Sequence, residues 1–321
     1  MNIESRAEIK HLKQQLQRGD LTGVRQYLSI TLQTQDWQDR HFVLSLLAAT
    51  LRAEVLSAAS ASEPEAADLF LLLGAYWFER TLKSRGAKQA EYTTEKQFRL
   101  AAEQIQTMMA CLQRSYSLEA ADPIPHIYAM RGLVVFSDYE DVVAHEYEEA
   151  VRIASDCLPA YYVRINTRAK KWGGSHEEAL HIARAAQSAG QPGSDLPACL
   201  FLAHFLVWQY ADLFDKDKSE AKRCLRDPEV ALELNGALDR WIGGNYRPRR
   251  SSLPYLHQAA LWYYLSGDYV RLKEILIHTG KEPYEQVWGQ LGDAAATYKN
   301  ARLKAAFASV KQTKLFGWLK R

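Results

Sequence analysis

Between Gly173 and His181 the chain reads GGSHEEALH, placing serine, histidine and carboxylate side chains within one or two helical turns. A zinc protease would use His-Glu-x-x-His, because histidines at i and i+4 share one helix face and can close on one ion. Here His176 and His181 are five apart, which on a helix separates them by about 140°. A nucleophile elbow needs G-x-S-x-G, and Glu177 stands where the last glycine belongs. Neither G-x-x-x-x-G-K nor G-x-G-x-x-G occurs in the chain, so no phosphate-cradling loop is indicated. The stretch reads as a capped corner instead. Ser175 and Glu178 fit a capping box, in which the serine oxygen accepts from the N3 amide and the glutamate reaches back to the cap amide. Gly173 and Gly174 suit a tight turn, with Trp172 packed beside it. No catalytic residue, cofactor or metal site is expected, and the chain is expected not to be an enzyme.

The remaining reactive residues give equally little sign of catalysis. Cys111, Cys157, Cys199 and Cys224 have no C-x-x-C spacing, and each lies in an apolar helical context suited to a small core residue. No secretory leader is legible in MNIESRAEIKHLKQQL, so a reducing cytoplasm is expected. The loop GGNYRPRR carries Arg247, Arg249 and Arg250 around Pro248 beside Tyr246. It reads either as a solvated connector or as a site for phosphate or carboxylate groups. After Asp293 no acidic residue follows, while seven basic ones do. With 40 basic and 38 acidic residues in all, positions 1–293 hold 33 against 38, a net of −5. An acidic body argues against nucleic acid, which wants a broad basic surface. In the tail, Leu303, Phe307 and Val310 fall at i, i+4 and i+7, followed by Leu315, Phe316, Trp318 and Leu319 among lysines. That is a basic amphipathic helix, readable as a docked cap or as a contact to an acidic partner or an anionic membrane.

The elements that would position these residues are helical throughout. Gly (17) and Pro (10) fall below their usual shares of roughly 7% and 5%, which favours long helices joined by short turns. The spacing predicts helices over about 9–18, 24–33, 40–58, 64–82, 95–115, 125–136, 141–156, 159–170, 175–189, 197–212, 228–241, 254–266 and 268–279, and a last one from Tyr284. The uncharged run Leu196–Ala211 is too short to span a membrane and is expected as a buried helix. Similar turns, RGDLTGV (18–24), FSDYEDV (136–142), WGGSHEEA (172–179) and SGDYVRL (266–272), precede several second helices. Such repetition points to stacked helical hairpins.

Two segments carry a family likeness. YEEAVRIASDCLPAYYVR (147–164) and LHQAALWYYLSGDYVRLKEIL (256–276) resemble the tetratricopeptide pattern. Tyr147 and Ala150 take its second-helix positions and AYY (160–162) its first-helix entry. Leu256, Ala259, Ala260 and Tyr263, then Leu272 and Leu276, match in the later segment. Arg164 and Ile165 depart from the expected Leu and Gly, and the N-terminal third barely matches. KWGGSHEEALHIAR is also similar to a turn and helix of a bacterial family catalogued as a domain of unknown function, which implies a bacterial origin. The resemblance implies an all-α α-solenoid of stacked antiparallel hairpins in a single domain. Irregular helices would occupy 1–120, TPR-like hairpins 121–283, and a capping helix with the basic tail 284–321.

It further implies that the first helix of each hairpin lines a concave groove for a partner protein or peptide. Tyr162, Asn166 and Lys170, at i, i+4 and i+8, would share one such face. His257, Leu261 and Tyr264 hold the corresponding places in the last matched repeat. Each of these also has a plain reading as packing or solvated surface. The expected function is non-catalytic protein binding as scaffold or adaptor. Two alternatives stand beside it: an immunity or chaperone-type protein for a toxin or secreted effector, and an enzyme with scattered acids.

Overall fold

The structure, a computed structural model, describes the backbone over 3–86, 93–134, 139–244 and 246–318, with side chains within 7–308 of that span. The chain is all-α: seventeen α-helices and no strand occur among the described residues. Contacts group it into two compact units, Asn2–Thr167 and Arg168–Arg321.

The first unit holds α1 (Ile3–Gln17), α2 (Thr22–Gln33), α3 (Trp37–Leu47), α4 (Ala53–Ser62), α5 (Ala67–Arg85), α6 (Glu95–Leu118), α7 (Ile124–Leu133), α8 (Glu140–Ile153) and α9 (Leu158–Thr167). Helices α5 and α6 form the longest hairpin. Ser115 near the end of α6 donates to the Ala67 carbonyl at the start of α5 (3.0 Å), while Gln97 near the start of α6 donates to Arg85 at the end of α5 (3.4 Å). The two therefore run antiparallel. Helix α7 is buried on every side from Ile124 to Met130, as an apolar helix without a polar face must be. It packs on α5, α6, α8 and α9. The single helix expected over 40–58 is two, because a 3₁₀ turn at Ala48–Thr50 and extended backbone at Leu51 and Arg52 break it.

The second unit holds α10 (His176–Ala189), α11 (Ala198–Gln209), α12 (Lys218–Cys224), α13 (Pro228–Ile242), α14 (Leu253–Ser266), α15 (Tyr269–Thr279), α16 (Glu285–Trp288) and α17 (Ala294–Trp318). The uncharged run noted above is α11, buried from Ala198 through Leu206 and contacted by α10, α12, α13 and α14. No single described helix is long and apolar enough to cross a membrane. Hairpin α14–α15 turns at left-handed Gly267 (φ 83°), and Asp268 caps α15 by accepting from the Arg271 amide (3.1 Å). Gly19 (φ 82°) with Asp20, and Gly173 (φ 89°) with Ser175, build the same kind of corner. The related FSDYEDV turn includes 136–138, which lie outside the described residues. The helix expected from Tyr284 is interrupted by a 3₁₀ turn and Gly292 (φ 111°), after which Asp293 accepts from the Ala296 amide (2.8 Å) to start α17.

Candidate functional site

The Trp-Gly-Gly corner shows why its residues are what they are. Lys170–Trp172 form a 3₁₀ turn, and Gly173 reverses the chain in the left-handed region. Gly174 lies so close to Arg168 that a Cβ would sit 2.1 Å from its carbonyl oxygen. Ser175 then caps α10 by accepting from the Glu178 amide (3.1 Å). Half of the expected capping box is absent: the Glu178 carboxylate turns outward and pairs with Arg168, a contact that lowers its pKa.

Opposite this corner, α11 leaves regular helix geometry. Tyr210–Phe214 form a π-helical turn closed by the Asp215 amide donating to the Tyr210 carbonyl (3.1 Å). Lys216 follows in the left-handed region (φ 55°), and Asp217 caps α12 by accepting from the Ser219 and Glu220 amides. The Lys170 ammonium lies 4.4 Å from the centre of the Tyr210 ring, within cation–π range. His176 meets Tyr210 edge-on at 5.5 Å, and Phe214 stacks on it at 5.2 Å with the rings nearly parallel. Burial first, then the Lys170 charge, lowers the His176 pKa, favouring the neutral ring. Around this aromatic centre Leu213 is 56% exposed, Phe214 43% and Trp172 39%. π-Turns occur disproportionately at functional sites, and this one holds two large apolar side chains in water.

The residues singled out from the sequence fare unequally. Lys170 belongs to this corner, but α9 ends at Thr167 and Ala169 is extended, so Lys170 does not continue a helical face from Tyr162 and Asn166. Tyr162 is half-buried, and Asn166 donates to the Tyr162 carbonyl on its own helix (2.8 Å). His257 and Leu261 are buried and line no accessible groove, which corrects the expectation for both. His257 lies on the inner side of α14, accepting from the Trp288 indole N–H at Nδ1 (2.8 Å). Tyr264 is half-buried, its hydroxyl accepting from Asn300 (3.0 Å) and its ring facing Lys304.

The basic loop is pinned from within. Buried Asp195 accepts from the Trp241 indole (2.8 Å) and the Tyr246 hydroxyl (2.7 Å) on one oxygen, and from Ser252 (2.7 Å) on the other. The Arg249 guanidinium stands 3.8 Å from that second oxygen. Burial pushes the Tyr246 hydroxyl well above its usual range. Arg247 is exposed and Arg250 half-buried, while Asn245 lies outside the described residues. The loop thus spends its tyrosine and one arginine on an internal carboxylate.

Polar pairs, buried in the first unit and partly buried in the second, were not legible at all. In the first unit Arg40 pairs with Asp122 (Nε to Oδ2, 3.0 Å), and His126 Nδ1 meets Glu146 at 2.6 Å while stacking on Tyr116. In the second, Glu233 joins His204 (2.8 Å) and Arg184 (2.7 Å), and hydrogen bonding to His204 foremost holds its carboxyl down at about 2. No spacing rule links these partners, which lie 20 to 82 residues apart. All four thiols are free, and burial pushes each pKa up, Cys111 to about 11, which opposes nucleophilic use. Among the described residues no three His, Cys, Asp or Glu side chains converge as metal ligands would. Comparison with known family profiles, curated proteins and solved structures gives no match.

Proposed function

We propose that this chain is a protein-interaction module, a scaffold or adaptor built from tetratricopeptide-like hairpins, whose partner seats on the Trp-Gly-Gly corner and π-helical turn. The observation that carries this reading is the outward display of Leu213 and Phe214 by a turn that ordinary helix geometry would not produce. Covering the roughly half of each side chain still in water stabilises a complex by about 1 kcal/mol each. The aromatic centre gives a rigid base, as interface anchors require. Lys170, Lys216 and Lys218 border the turn and make it addressable by amine chemistry. Cross-linking in a native lysate should therefore join these lysines to one recurring protein. An L213E/F214E variant should lose those cross-links while keeping its helical circular dichroism. Cross-links that persist unchanged in the variant would place the partner elsewhere.

The net −5 of residues 1–293 favours a second version of the same role. An acidic module suits a basic partner, as in neutralising or escorting a toxin or effector. A partner that is itself a toxic enzyme, and loses activity on binding, would establish that version.

A further inference from the structure

We propose that the outer face of α17 seats this chain on an anionic lipid surface, independently of the protein-binding corner. Helix α17 is apolar on two opposite sides. Ala294, Tyr298, Ala301 and Ala305 are buried at i, i+4, i+7 and i+11 where the helix packs on α15 and α16. Tyr298 and Arg302 both donate to the Gly280 carbonyl at the end of α15 (2.8 and 2.9 Å), which fixes the inner side. Leu303 and Phe307 stand two positions past Ala301 and Ala305, about 200° round the helix. They are 49% and 67% exposed, and Lys299 beside them is exposed as well. The docked-cap reading therefore accounts for one side of α17 and leaves the other.

Charge and composition say what covers that other side. From Ala294 to Arg321 there are seven basic residues and no acidic one; Arg302 and Lys304 are engaged toward α14 and α15, which leaves Lys299 and the four past Ala308, and the helical backbone continues to Trp318. The sequence past Ala308 adds Val310, Lys311, Lys314, Leu315, Phe316, Trp318, Leu319, Lys320 and Arg321, whose side chains lie outside the described residues. Apolar and aromatic residues whose only charged neighbours are lysine and arginine are a composition found in helices lying in a bilayer interface. Lysine stems extend along apolar surface while the ammonium groups reach anionic headgroups. Lysine is instead depleted from protein–protein interfaces, so a lipid surface fits this face better than a protein does. Two weak signals acting together, apolar insertion and a cluster of cations, give firm but reversible attachment.

Co-sedimentation of the full chain with vesicles tests this. Vesicles of equal parts phosphatidylglycerol and phosphatidylcholine should carry the protein down, and added salt should release it. Phosphatidylcholine alone should bind at least ~10-fold more weakly, since each basic residue near an anionic surface raises partition roughly fivefold. L303E/F307E removes two exposed side chains and should cut partition by at least ~10-fold with thermal unfolding unchanged. K311Q/K314Q should weaken binding without abolishing it. Failure of the wild type to sediment with the anionic vesicles overturns the proposal, as does full binding by L303E/F307E. Loss of a protein partner by L303E/F307E, with no vesicle binding by the wild type, would assign the face to a protein and also overturn it.

Discussion

Gly174 and Gly173 adjoin each other and are glycine for different reasons. At Gly174 the Arg168 carbonyl leaves no space for a methyl group, and backbone must move to admit one. At Gly173 there is open space, and only the positive φ disfavours a side chain. G174A should therefore cost about 2–4 kcal/mol and G173A about 1 kcal/mol in urea unfolding. Equal costs, or the reverse order, would contradict the geometry. His257 supplies a second test. Its Nδ1 accepts from Trp288, which requires a neutral ring, and burial pulls its pKa from 6.5 to about 4. The unfolded chain takes up this proton near pH 6.5, the folded chain only near pH 4. Stability therefore falls as pH drops through that window, by about 2 kcal/mol at pH 5 from this group. The wild type should lose more stability between pH 7 and pH 5 than H257N does, by about that amount; identical losses would contradict it. The glycine pair was legible in the sequence as a corner. The burial of His257 was not, because the matched pattern did not say which side of α14 faces inward.

Caps and breaks decide the elements. Ser175 caps α10, whereas Glu178 has left the box to pair with Arg168. S175A should cost about 1 kcal/mol, and E178Q no more than about 0.5 kcal/mol because it loses only an exposed ion pair. An E178Q cost matching S175A would restore the full box. Most helices could be placed from apolar spacing and turn residues, since those signals are local. Breaks inside apolar runs were harder to see. The 3₁₀ turn at Ala48–Thr50 and the π-turn at Tyr210–Phe214 sit in sequence that suits helix, so tertiary packing decides them. Helix α12 was missed because seven residues beginning Lys-Ser-Glu show little periodicity, and only its Asp217 cap announces it.

Across the whole molecule, each unit is centred on helices that are apolar nearly all round, α7 in Asn2–Thr167 and α11 with α14 in Arg168–Arg321. Such helices need polar ties where their ends meet the surrounding layer. In the first unit Asp122, just before α7, accepts from Arg40 and from the Ile124 amide (3.0 Å). D122A leaves the Arg40 guanidinium buried without its counter-charge and should destabilise the protein by about 3–5 kcal/mol in denaturant unfolding. A loss below about 1 kcal/mol would mean that water replaces the carboxylate. Fold class was readable because composition and periodicity act over the entire chain. The candidate site was only half readable: Lys170 and Trp172 lie in a recognisable corner, while Leu213 and Phe214 depend on a backbone irregularity. The most direct test of the central claim is the affinity of the cross-linked partner, once purified, for wild type and for L213E/F214E by titration calorimetry. The expected result is at least ~10-fold weaker binding by the variant at unchanged thermal stability, and equal affinity would contradict the assignment of this corner as the binding site.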